Sequence, residues 1–154
     1  MKKVLRDTPL MEITLRRYER PDKTNPRELV KKLCLSLGLL QPGDSRDIIV
    51  DILYVLLRAK QEKKLMDSEQ IKDAVIELRK EFNLSLQGVA SSNVRRQIKR
   101  LRDVLIVEKI KNDYRIIEFS NLSDAYREKV EQLLLPTILS RIKEYLKDVD
   151  EVFA

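Results

Sequence analysis

The sequence predicts a mainly α-helical fold carrying one small β-hairpin, an α+β arrangement, and three observations predict it. Apolar residues recur at helical steps of three and four in the stretches around 29–37, 48–57, 71–82, 94–105 and 135–152. Two short strand-like runs, 106–110 and 114–119, flank the polar triplet Lys111-Asn112-Asp113, whose Asn and Asp tolerate the positive φ of a tight turn. Helix-start residues such as Asn25-Pro26, Asp67-Ser68 and Ser91-Ser92 stand at the heads of the helical stretches.

A chain of 154 residues suffices for one ordinary core with extensions. Hydrophobic residues at 43% and charged residues at 36% place it with ordered globular proteins, away from disordered and membrane classes. The opening MKKVLRDTPL lacks the hydrophobic segment of a secretion signal, so a cytoplasmic location is expected. With no histidine and the single cysteine Cys34, an intramolecular disulfide, the common zinc sites and the Ser-His-Asp or Cys-His arrangements are excluded. The three glycines, at 38, 43 and 88, cannot supply a GxxxxGKS/T phosphate loop or a GxGxxG fingerprint. Neither catalysis, a metal nor a cofactor is expected. Abundant Lys, Arg and Glu without His or Trp fits a hot habitat.

Residues 1–24 form a basic arm in which Met11, Ile13 and Leu15 alternate with Glu12, Thr14 and Arg16, predicting a short strand over 10–17. An accessory helix follows within 25–43. Asn25 caps it, Pro26 takes the first helical position, and Leu29, Val30, Leu33, Cys34 and Leu37 form its buried face. Gly38 stops it, and Gln41-Pro42-Gly43-Asp44 turns toward the next element. From Asp44 or Ser45 to about Lys60 a central helix is apolar around more than half its circumference and must be buried against several neighbours. Asp67 or Ser68 caps a third helix over 68–82 that buries Ile71, Ala74, Val75, Leu78 and Phe82 and exposes Lys72, Asp73, Glu77, Arg79 and Lys80.

After a connection over 83–90, Ser91, Ser92 and Asn93 open a fourth helix, either serine serving as its N-cap. Val94, Ile98, Leu101 and Leu105 recur at steps of four, three and four, one narrow buried stripe. Ser92, Arg95, Arg96, Lys99 and Arg102 fall on the opposite side. Residues 44–119 carry 16 basic and 13 acidic side chains, yet 91–102 alone holds five bases and no acid, so the remainder is net acidic and the cations form a patch. A helix with an apolar inner stripe, a cationic outer face and small hydrogen-bonding residues at its start suits the DNA major groove.

These residues, SNVRRQIKRLRD and then IVEKIKNDYRI, resemble the recognition helix and wing of winged helix-turn-helix proteins, particularly archaeal transcription regulators. The resemblance extends back to Asp44 and implies a winged-helix domain over 44–119. It departs at Leu105, where many relatives carry glycine because the helix exit favours a left-handed residue. The implied DNA contacts are Ser91, Ser92, Asn93, Arg95, Arg96, Lys99, Arg100 and Arg102 on the helix, with Lys109, Lys111, Asn112 and Arg115 in the wing. Asn93 suits an adenine edge and Arg95 or Arg96 a guanine, whereas Lys99, Arg100 and Arg102 suit phosphate. The arm either reaches phosphate or a minor groove, or tucks onto the domain.

Beyond Phe119, Ser123 caps a further helix, and Pro136 predicts a kink or boundary at Leu135. Leu135, Ile138, Ile142, Tyr145, Val149 and Val152 then form an apolar seam, and the segment 120–154 has seven acids against five bases. It is a poor DNA surface and a better protein surface, expected to dimerise in preference to folding back. The expected function is double-stranded DNA binding by a homodimeric, nucleoid-associated winged-helix transcriptional regulator, sequence-specific or architectural. Two alternatives remain open: an RNA- or ribosome-associated basic protein, and a winged-helix module that docks an acidic protein.

Overall fold

The computed structural model describes Ile13 and residues 20–154, so the strand expected over 10–17 and most of the basic arm lie outside the described residues. The elements in order are α1 (Pro26–Ser36), α2 (Ile48–Gln61), β1 (Met66–Asp67), α3 (Ser68–Glu81), α4 (Ser91–Asp103), β2 (Val107–Ile110), β3 (Asp113–Ile116), a 3-10 turn (Ile117–Phe119), α5 (Leu122–Tyr126), a π-helical stretch (Arg127–Leu134) and α6 (Leu135–Val152). The chain is thus mainly helical with a small antiparallel sheet, and it divides into two compact units, Met1–Phe119 and Ser120–Ala154.

In the first unit α2 is the central post. Ile48, Ile49, Val50, Ile52, Leu53, Val55, Leu56 and Ala59 are all buried, and α1, α3, α4 and β3 pack around it. Its wide apolar surface leaves no stable alternative to burial on several sides. Cys34 lies in the same core, and burial pushes its thiol up to about 12, far from any nucleophilic role.

Local chemistry fixes the helix starts. Asn25 accepts a bond from the Glu28 amide at 3.1 Å, and Pro26 follows it. At α3 the Asp67 carboxylate accepts from the Gln70 amide at 2.8 Å while the Gln70 side chain accepts from the Asp67 amide at 2.9 Å, a reciprocal capping box. The central helix begins at Ile48, later than Asp44 or Ser45. Asp44 instead closes the preceding turn, its carboxylate accepting from the Gln41 amide at 3.0 Å.

The ends of α1, α2, α3 and α4 share one device. In each, a residue with φ between 51° and 71° lets two successive amides turn back onto the last-turn carbonyls; these residues are Gly38, Lys63, Asn83 and Leu105. Only the first is glycine. At α4, Leu105 donates to the Arg102 carbonyl at 3.0 Å and Ile106 to that of Leu101 at 3.2 Å, so the exit is left-handed despite the branched side chain.

The sheet has the order β1-β3-β2. Its first strand, only two residues long, escaped the sequence reading. Met66 pairs with Tyr114 and Asp67 with Asp113, while Ile110 pairs with Asp113 and leaves Lys111 and Asn112 as the hairpin loop. The positive φ falls on Lys111, at 56°, and not on Asn112 or Asp113. The second strand stops at Ile116, short of the expected Phe119, because Glu118 and Phe119 also take positive φ.

Two predicted positions of α3 are exchanged. Phe82, expected in the core, is 45% exposed because the helix ends at Glu81, whereas Arg79, expected on the surface, is 2% exposed. Arg79 joins a charge quartet with Arg27, Asp47 and Asp51. Its Nη1 lies 2.9 Å from Asp47 Oδ1 and 2.6 Å from Asp51 Oδ2, and Arg27 reaches Asp51 Oδ1 at 2.9 Å and Asp47 Oδ2 at 3.0 Å. Burial alone would raise the Asp47 carboxyl, but hydrogen bonds and charge from Arg27 and Arg79 outweigh it and hold the group below its ordinary value. Burial opposes the charged Arg27 guanidinium too, and Asp51 and Asp47 more than offset it.

In the second unit, the backbone is helical through Leu134 and Leu135, so the helix does not break before Pro136. The Leu135 amide donates to the Val130 carbonyl, the wider bond of a π-helix, and Pro136, which has no amide to donate, follows directly in the first turn of α6. The Thr137 hydroxyl donates to the Leu133 carbonyl at 3.0 Å. At the head of α5 the cap position is Asn121, not Ser123, and carries no side-chain bond. No residue of α6 is buried.

Asp51→Ala should destabilise the first unit by about 3 to 5 kcal/mol in urea unfolding, because it leaves two guanidiniums on one remaining carboxylate. Acid should act through Asp47. Its stabilisation is fully present above the unfolded carboxyl value of about 3.9 and is lost as pH falls through the lower folded value. Asp47→Asn should flatten the stability–pH curve over that acidic window, measured by urea midpoints at successive pH values.

Candidate nucleic-acid interface

The local sequence of α4 gives it three sides. Val94, Ile98 and Leu101 are fully buried where the helix packs on α2, α3 and β2, as the stripe predicted; Leu105 has left the helix. On the outer side Ser92, Arg95, Arg96, Lys99 and Arg102 are exposed. Lys99 pairs with Asp103 at 3.2 Å across one turn, both side chains well solvated, so the pair is weak and separable. Arg95, Arg96 and Arg102 have no hydrogen-bond or ion-pair partner among the described residues.

The third side faces the connections. Asn93 Nδ2 donates to the Gly88 carbonyl at 2.7 Å, Gln97 Nε2 donates to Asn93 Oδ1 at 3.1 Å, and Arg100 Nη1 donates to Gln97 Oε1 at 2.9 Å. All three side chains are half-buried. Asn93 therefore anchors the preceding loop, its amide engaged at both ends, and is not presented on the outer face as the sequence suggested. Arg100 likewise belongs to this side. Gly88 has φ +88°, and a Cβ there would come within 3.2 Å of Asn93 Nδ2 and of Ile48 Cγ1, so the loop's close approach requires glycine.

Ser91 is tied to α3. Its hydroxyl donates to Glu69 Oε1 at 2.9 Å and accepts from Lys72 Nζ at 3.2 Å. The N-cap is Ala90, without a side-chain bond, so neither serine caps. In the hairpin, Lys109, Lys111 and Asn112 are exposed, and Lys109 Nζ sits 5.8 Å from the centre of the buried Tyr114 ring. Arg115 turns inward. Its Nε lies 3.5 Å from Glu108 Oε2 without forming a hydrogen bond, and its guanidinium stacks 4.8 Å from the Phe119 ring.

A cleft of about 500 Å³ opens beside this helix, between residues 38–46 and the third side of α4. Arg46, Arg96 and Arg100 all line it, together with the buried Leu39, Leu40, Ile48 and Ile49. The sequence reading missed Arg46. It lies in an irregular turn, and no periodicity reports which distant helix such a turn meets. No protein-family model, curated protein or solved structure matches the chain.

Proposed function

We propose that this chain binds double-stranded DNA through a winged-helix domain and acts as a homodimeric transcriptional regulator or architectural factor. The supporting order is α2, β1, α3, α4, β2, β3 with the sheet arranged β1-β3-β2, in which a two-stranded hairpin follows the cationic helix directly, the position a wing would take. The observation that carries the reading is that Arg95, Arg96 and Arg102 share one exposed face without a carboxylate partner, with Lys109 and Lys111 following in the wing. Unpaired guanidiniums on a single helix face are ready to neutralise phosphate or to fork onto guanine. Ser92 remains as an outer-face contact. Asn93, Arg100 and Arg115 support the surface without joining its outer face.

The dimer is assigned to α6. Leu139, Ile142, Tyr145, Leu146, Val149 and Val152 are between 47% and 76% exposed and repeat at helical spacing, so a second copy of this helix would cover one continuous stripe. The pairs Arg141–Glu144 and Lys147–Glu151 hold charge along the helix itself and leave the seam apolar.

Replacing Arg95 and Arg96 together by Ala should weaken binding to a random-sequence duplex and lower the log–log salt slope by roughly two, with unchanged circular dichroism. Fluorescence anisotropy over a salt series measures this, and an unchanged slope refutes the assignment. Equal affinity for duplex RNA would move the function to RNA. The double substitution Ile142→Asp, Val149→Asp should convert a dimer to a monomer in light scattering, because charges would enter the seam; an unaltered mass would show that α6 does not pair copies.

A further inference from the structure

We infer that the cleft between residues 38–46 and α4 is a binding site for a small phosphorylated ligand. This does not rest on DNA binding. Three guanidiniums, Arg46, Arg96 and Arg100, border the cleft, and none has a carboxylate partner among the described residues. Arg100 is the telling one. It is half-buried, its one bond is to the neutral Gln97, and a guanidinium withdrawn from water normally finds an anion. Asp44 is the single acid in the lining, and one of its oxygens already closes the Gln41 turn. The lining therefore keeps a net charge of +2, matched to a phosphoryl dianion.

The backbone points the same way. The first-turn residues of two long helices, Ile48 and Ile49 of α2 and Ser92 and Asn93 of α4, all line this cleft, and neither helix has a side-chain cap. Asp47 stands at the cap position of α2, but both its oxygens are engaged by Arg27 and Arg79. Two uncapped amino ends beside three guanidiniums that have no carboxylate partner among the described residues favour an oxyanion with several acceptor atoms. The volume, about 500 Å³, exceeds a bare phosphate and suits a ligand of nucleotide size whose less polar part rests on Leu39 and Leu40.

The test is calorimetric titration of the full chain with inorganic pyrophosphate, potassium chloride holding the ionic strength constant. Saturable one-to-one binding is expected. Arg46→Gln, at an exposed position, and Arg100→Gln should each weaken it by about tenfold, the loss of one charge-assisted contact, while Lys143→Gln on α6 leaves it unchanged. Circular dichroism confirms folding, and Arg46→Gln keeps the test decisive should Arg100→Gln unfold. Two results would overturn the site: equal weakening by Lys143→Gln, or no saturable binding by folded wild type, the latter either alone or combined with a DNA salt slope that falls in Arg46→Gln. That combination would make the cleft a seat for a backbone phosphate of DNA.

Discussion

The buried quartet of Arg27, Asp47, Asp51 and Arg79 is the constraint on which the first unit depends. Two positive and two negative charges are withdrawn from water at the junction of α1, α2 and α3, and each carboxylate is bonded to both arginines. Charge pairs of this kind add little net stability over apolar groups of the same volume, because desolvation offsets most of the attraction. Their consequence is geometric. Apolar ridges allow neighbouring packings of similar energy, whereas four directional partners allow one.

That geometry propagates to the candidate site. Arg79 also donates through Nε to the Ser85 carbonyl, so the quartet holds the connection that leads into α4. A few residues later Gly88 accepts from Asn93, and the ladder through Gln97 to Arg100 continues along the helix. The orientation of α4 is thus set from two directions, by Val94, Ile98 and Leu101 in the core and by polar bonds on its flank. The arginines left over on the outer face are those that neither constraint uses.

Most of the helical architecture was legible because its signals are local. Asn25-Pro26 and the Asp67–Gln70 box are chemistry within four residues, and the stripe of α4 is a period along one element. The quartet was illegible for the opposite reason. Asp51 interrupts an apolar run and Arg79 sits beside exposed lysines, so each looks like a solvated residue until the partner 28 positions away is known. The pairing of β1 with β3 and the convergence of Arg46 and α4 on one cleft are likewise long-range. Asn93 shows the limit for function: its residue type suits base recognition, but the Gly88 carbonyl claims its amide, and only the fold reveals that competitor.

Arg96 lies on the rim of the cleft and also on the exposed face of α4. One guanidinium cannot give the same donors to a ligand phosphate and to DNA, so the two proposed sites overlap at this residue while Arg95 and Arg102 serve only one and Arg46 and Arg100 only the other. Linkage then fixes the relation between them: whatever factor an anion in the cleft removes from DNA affinity, DNA removes from the anion's affinity. Ser92 also lines the cleft and stands on the outer face, but Arg96 is the only charged side chain the two share, and its contribution is bounded by one charge-assisted contact, about tenfold. A small anion in the cleft and DNA on the outer face of α4 would in this way be coupled through the sharing of Arg96, without any change of fold.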